Sequence, residues 1–177
     1  MTPTVPLFCA LALLAGAPGA AAATPGEAPA GQAPPSPLAG TWVLEAADTL
    51  RPDGTRVPGY GPSPQGRLMV DRNGDYVLEI YRADSLRFGS SDKAGGTPAE
   101  YQAAVMRVSA HFGHVTVDPG RGVLVFEIAR SVYPNWEGVK QVRQYQLNQD
   151  RLSYQVPPSA TGDGTIAISQ WRRQAAP

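Results

Sequence analysis

The chain has 177 residues, 42% of them hydrophobic, and its 15 basic and 15 acidic residues leave no formal net charge. About 140 residues, from Leu38 to Pro177, read as folded, which is enough for one core and one domain. Within that stretch 15 basic residues face 14 acidic ones, because only Glu27 lies outside it. So even a balance excludes a nucleic-acid binder, which would carry a basic face or stripe.

Residues 1–23 read as a signal peptide. An uncharged apolar run from Val5 to Ala17 is followed by Gly19-Ala20-Ala21-Ala22-Ala23, small residues of the kind signal peptidase cuts, with cleavage expected after Ala23. The predicted location is therefore periplasmic or secreted. An uncleaved anchor of roughly 13 apolar residues would be too short for ~30 Å of hydrocarbon, and no membrane span is expected in the mature chain. Phe8 precedes Cys9 where a lipoprotein signal needs a small residue, so Cys9 is not a lipidation site. Once the leader is gone no cysteine remains, which excludes disulfides, thiolate nucleophiles and Cys-ligated metals. Residues 24–37 (TPGEAPAGQAPPSP) form a Pro/Ala-rich linker that lacks the apolar surface to offset its ordering entropy. The domain proper is 38–177.

From Gly40 onward, short segments alternate apolar and polar residues between turn residues, the period of half-buried strands. Eight are predicted, at 40–48, 65–71, 75–83, 112–118, 122–130, 139–148, 151–156 and 165–173. Asn73-Gly74 reads as a two-residue type I′ hairpin turn with positive φ at both positions. Two further hairpins are marked by Asp118-Pro119-Gly120-Arg121-Gly122 and by Asn148-Gln149-Asp150. Eight strands joined as a meander avoid exposed edges by closing. The predicted fold is thus an all-β, eight-stranded antiparallel up-and-down barrel with one short helix packed on an end. That helix starts at Thr97-Pro98-Ala99-Glu100, a capping box with Pro at the first helical position. Tyr101, Ala104, Val105 and Val108 would form its apolar face against the barrel.

In a small barrel one face of every strand lines the interior. Tyr76, Leu78 and Ile80 are assigned inward, as are Leu124, Phe126 and Ile128, and Leu152, Tyr154 and Val156; Glu79, Glu127 and Arg130 point out. The strand at 139–148 is different: its more apolar face, Val139, Gln141, Arg143, Tyr145 and Leu147, includes an arginine. An inward Arg143 must meet a carboxylate, carbonyls, water or a ligand, because an isolated buried charge is costly. Either Arg143, with Tyr145 and Tyr154, holds the anionic or oxygenated end of an otherwise apolar ligand, or it bonds strand-end carbonyls or stacks on an aromatic ring. Gln141, Tyr76, Phe126 and Trp136 complete the candidate ligand-binding set. Trp136, in a loop, either caps the cavity mouth or packs locally.

Gly40-Thr41-Trp42 resembles the G-x-W motif of lipocalins, and Trp171-Arg172-Arg173 resembles their closing strand, whose Arg packs over that Trp. Tyr60-Gly61-Pro62-Ser63-Pro64-Gln65-Gly66-Arg67-Leu68, Pro134-Asn135-Trp136-Glu137-Gly138, Gln141-x-Arg143-x-Tyr145 and Asp150-Arg151-Leu152 are similar to the bacterial and fungal lipocalin-like domain family, with its calycin-type barrel. This resemblance, from about Leu38 to Arg173, implies Gly40, Trp42, Trp171 and Arg173 as structural residues and supplies no catalytic ones. The family often carries His in the fifth strand, where this chain has Phe126 and Glu127.

His111 and His114 (HFGH) would fall on opposite faces of a strand, so they do not form a two-His metal site unless the backbone there is helical or bulged. No catalytic set, phosphate loop, metal site or cofactor is readable. Three functions follow as expectations: a barrel binding a small hydrophobic molecule with a polar end; an isomerase or cyclase using Arg143, Tyr145 and Glu127; or an envelope structural or partner-binding protein with a filled core.

Overall fold

A computed structural model describes residues 34–84 and 86–175; the predicted leader and most of the predicted linker lie outside the described residues. Nine strands form a single antiparallel sheet: β1 (Gly40–Leu50), β2 (Arg56–Pro58), β3 (Gln65–Val70), β4 (Asp75–Tyr81), β5 (Val108–Asp118), β6 (Val123–Ser131), β7 (Lys140–Asn148), β8 (Arg151–Val156) and β9 (Ile166–Arg173). Apart from β2, neighbours follow chain order, and β9 returns to pair along most of β1, from Trp42↔Arg173 to Leu50↔Ile166, so eight strands close into a barrel. The ninth, β2, is a three-residue addition to the far half of β1. It escaped the sequence reading because three residues ending in Pro58 show no period.

Short hairpins at 71–74, 119–122 and 149–150 gather at one end of the barrel, and the longer connections at 51–64, 82–107, 132–139 and 157–165 at the other. The first is the closed end. Leu38 plugs it, fully buried, and its carbonyl accepts the Trp42 indole N–H at 2.8 Å. The Arg173 guanidinium stacks 4.1 Å above the Trp42 ring while donating to the carbonyls of Ala39 and Pro37. Trp171 is fully buried from β9. The four structural residues implied by the resemblance therefore lie where first and last strands meet.

Three expectations are corrected. Asn73-Gly74 is not a type I′ turn, since only Gly74 has positive φ. The Asp71 carboxylate instead accepts the amides of Asn73, Gly74 and Asp75 at 2.8–2.9 Å, and that local bonding shapes the 71–74 connection. The helix α1 (Pro98–Met106) starts with the capping box as read, but it buries no residue. Tyr101 packs on Phe88 instead of the barrel and donates to the Lys93 carbonyl. Val108 belongs to β5, which begins four residues earlier than expected, because pairing with β4 from Tyr81↔Val108 onward outweighs the helical spacing. A second helix, α2 (Pro158–Thr161), is a single turn in the β8–β9 connection.

Candidate functional site

Strand parity delivers the inward set. Tyr76, Leu78, Ile80, Leu124, Phe126, Ile128, Leu152 and Tyr154 are all buried, and Glu127 points out, paired with Lys140 at 2.8 Å. Val156 is half-buried, and Val139 is exposed because β7 begins one residue later. Gln141 and Arg143 are inside, at 4% and 2% exposure.

Around Arg143 the structure assembles a small polar cluster in an apolar wall. Its guanidinium lies 4.1 Å above the Phe126 ring and 5.1 Å from that of Tyr154. Its Nη2 donates to Gln141 Oε1 at 2.7 Å and sits 3.5 Å from His111 Nε2. His111 Nδ1 is 2.7 Å from the Tyr76 hydroxyl. The buried polar side chains among the described residues are His111, Gln141, Arg143 and Ser169, and none is a carboxylate. Arg143 Nε and Trp171 Nε1 have no hydrogen-bond partner there.

Stacking over a desolvated ring contributes ~2 kcal/mol and one bond from a charged group about 1.5–3 kcal/mol. Burying the ion costs several kcal/mol. Aromatic stacking was one of the alternatives for Arg143 and it is present, yet among the described residues it leaves the charge without a buried counter-ion. Burial also lowers the Arg143 pKa and raises that of Tyr154, while the nearby Arg143 charge draws the latter back. Desolvation raises the Tyr76 phenol likewise.

The remaining candidates separate. Trp136 is half-buried in a 3-10 turn before β7 and sets its ring edge-on to His111 at 6.1 Å, so it packs over the cluster from the open end. Tyr145 pairs with Tyr154 across β7–β8 but is half-buried and lines a polar outer cleft of about 370 Å³ with Arg56, Arg121 and Gln144. A larger groove of about 930 Å³ also lies outside the barrel, floored by Met69, Val77 and Phe112, whose side chains are about half exposed.

His111 is the residue that sequence reasoning left out of the site. HFGH does place its two histidines on opposite faces: His111 is buried, and His114 is half-buried on the outer face beside Asp75 at 3.0 Å. The signal was the alternation His111, Gly113, Val115, visible only once the strand is extended upstream. Among the described residues no cluster of three His, Cys, Asp or Glu could hold a metal ion.

Burial, reinforced by the Arg143 charge, lowers the His111 pKa from 6.5 to about 3. Between those values the unfolded chain binds a proton that the folded chain refuses, so stability falls as pH drops from about 6.5 towards 3. From pH 6.5 to 5 the expected loss is about 1.5 kcal/mol, read as a lower urea midpoint, and it disappears in His111→Gln. Asp71, Glu100 and Glu137, held below the ordinary carboxylate range chiefly by hydrogen bonds, lose their contributions only at lower pH. A pH-independent midpoint in this window would contradict the buried neutral imidazole.

A profile of the lipocalin-like domain matches residues 39–174, most of the chain and all eight barrel strands. The chain belongs to the lipocalin-like domain family. No curated protein and no solved structure matches it. Membership accounts for the closed eight-stranded barrel and for Trp42 and Arg173 at its sealed end, and it makes this lipocalin-like chain a binding protein in general terms.

Proposed function

We propose that this lipocalin-like protein is exported and holds a small molecule, apolar in its body and polar at one end, inside the barrel with Arg143 as the anchor. The observation that carries the reading is a buried guanidinium with no buried carboxylate beside it and with its Nε–H unbonded among the described residues. Ligand sites have mostly apolar walls with a few placed polar groups, and Phe126, Tyr154 and Leu124 around Arg143 and Gln141 match that description. Because Arg143 is 2% exposed, a ligand reaches it only when side chains at the open end move, Trp136 first. Export is supported by the apolar run Val5–Ala17 and the alanines that follow. N-terminal sequencing of protein from the periplasm or medium is expected to begin at Thr24.

Protein purified from its own host should carry a small molecule visible by native mass spectrometry. Arg143→Met should abolish that added mass while leaving Tm unchanged or raised, because a methionine in this wall has no charge to desolvate. No bound mass, together with a Tm drop of more than about 6 °C, equivalent to roughly 2 kcal/mol, would make Arg143 a structural residue instead.

The outer groove favours a second reading, a filled-core protein that docks a partner on its outside through Met69, Val77 and Phe112. It requires that nothing co-purifies inside the barrel and that Val77→Lys weakens association. Nothing comparable favours the isomerase, whose carboxylate, Glu127, faces solvent and is paired with Lys140.

A further inference from the structure

We infer that the unpartnered buried groups of the interior site are donors, and that its ligand presents an oxygen that accepts hydrogen bonds but has none to give, a carboxylate or a carbonyl. This deepens the binding reading above and rests on it. The argument turns on His111. Its Nε2 faces the Arg143 Nη2 at 3.5 Å. Every guanidinium nitrogen carries hydrogen and accepts nothing, so a proton on Nε2 would set two N–H groups against each other inside the barrel. The neutral ring therefore carries its proton on Nδ1.

Nδ1–H then donates to the Tyr76 oxygen at 2.7 Å. The Tyr76 hydroxyl hydrogen must point elsewhere, and among the described residues that hydroxyl has no other hydrogen bond. Accepting from His111 polarises the O–H and makes it a better donor. Among the described residues, the donor hydrogens left without a partner in this core include those of Arg143 Nε, Trp171 Nε1 and Tyr76 Oη. Phe126 ties the first and last together, with Arg143 over its face and Tyr76 edge-on at 5.0 Å. Tyr154 links the first two, lying 5.1 Å from the Arg143 guanidinium and stacked on Trp171 at 6.3 Å. The acceptors that face Arg143, Gln141 Oε1 at 2.7 Å and the unprotonated His111 Nε2 at 3.5 Å, both meet its Nη2. A ligand amine or hydroxyl brings a further hydrogen into a core that already has unpaired donors, whereas a carboxylate or carbonyl oxygen satisfies those donors and adds none.

Two measurements test this on the full-length mature protein. Nitrogen-15 shifts of the imidazoles in the free wild-type protein report the tautomer directly, and His111 is expected as Nδ1–H. Binding is then compared for four probes with the same tail: dodecanoate, 2-dodecanone, 1-dodecanol and dodecylamine. The carboxylate and the ketone are expected to bind at least ten-fold tighter than the alcohol and the amine. Arg143→Gln should remove most of the carboxylate's advantage, and Tyr76→Phe most of the ketone's. An Nε2–H tautomer in His111 would overturn the inference, as would an alcohol that binds as tightly as the acid, and in both cases the binding reading would stand. Failure of all four probes would also overturn it, while the co-purification experiment separately decides whether the barrel holds a ligand at all.

Discussion

Trp42→Ala is expected to lower unfolding free energy by about 3–5 kcal/mol, the range for deleting a large buried aromatic side chain. Trp42 has no exposed surface, and its loss removes more than area. The indole N–H bond to Leu38 disappears, and with it the ring on which Arg173 stacks. That guanidinium ties the segment before β1 to the end of β9, so the cavity opens at the seam where the barrel closes. Trp42→Phe should recover part of the loss, because a smaller ring still fills the floor without the N–H bond to Leu38. Urea denaturation followed by circular dichroism measures both. A loss below about 1 kcal/mol for Trp42→Ala would show that the closed end does not depend on this residue.

Gly113→Ala is expected to cost about 3 kcal/mol or more, although it adds one methyl group. The register of β5 against β6 shifts between Phe112 and Gly113, and the β6 backbone comes in close. A Cβ on Gly113 would lie 2.0 Å from the Glu127 carbonyl oxygen and 2.8 Å from the Ala129 nitrogen. Both are backbone atoms in a paired strand, so relief means breaking ladder bonds, and the cost falls at or above the upper end of ordinary overpacking. The substitution also disturbs the stretch of β5 that carries His111, so the Tyr76–His111 contact should loosen with it. Gly120→Ala is a useful control, since its Cβ would meet nothing closer than 3.5 Å. Equal stability of Gly113→Ala and Gly120→Ala would contradict this account of the bulge.

Legibility from sequence followed the range of the interaction. The inward arginine was readable because period-2 alternation needs only the residues of one strand, and Gln141, Arg143 and Tyr145 stand alternately in β7. The same rule placed Tyr76, Phe126 and Tyr154 inside and Glu127 outside before any partner was known. It failed for His111 because a strong capping box upstream made the helix seem longer than it is, and only pairing with β4 reveals where β5 begins. It failed again for the helix face: nothing local says whether Tyr101 and Val105 meet the barrel, and both remain exposed.

By itself the sequence determined the eight barrel strands, the hairpin ends, the sealing pair Trp42 and Arg173, and the direction of Arg143. All of these rest on local period, turn chemistry or short motifs. Only the tertiary structure decided what meets the Arg143 guanidinium. Phe126, Gln141, Tyr154 and His111 come from strands as far as 43 residues apart in the chain and converge through closure of the sheet. Whether a buried charge finds a counter-ion depends on every strand around the barrel at once, and no single strand's pattern carries that information.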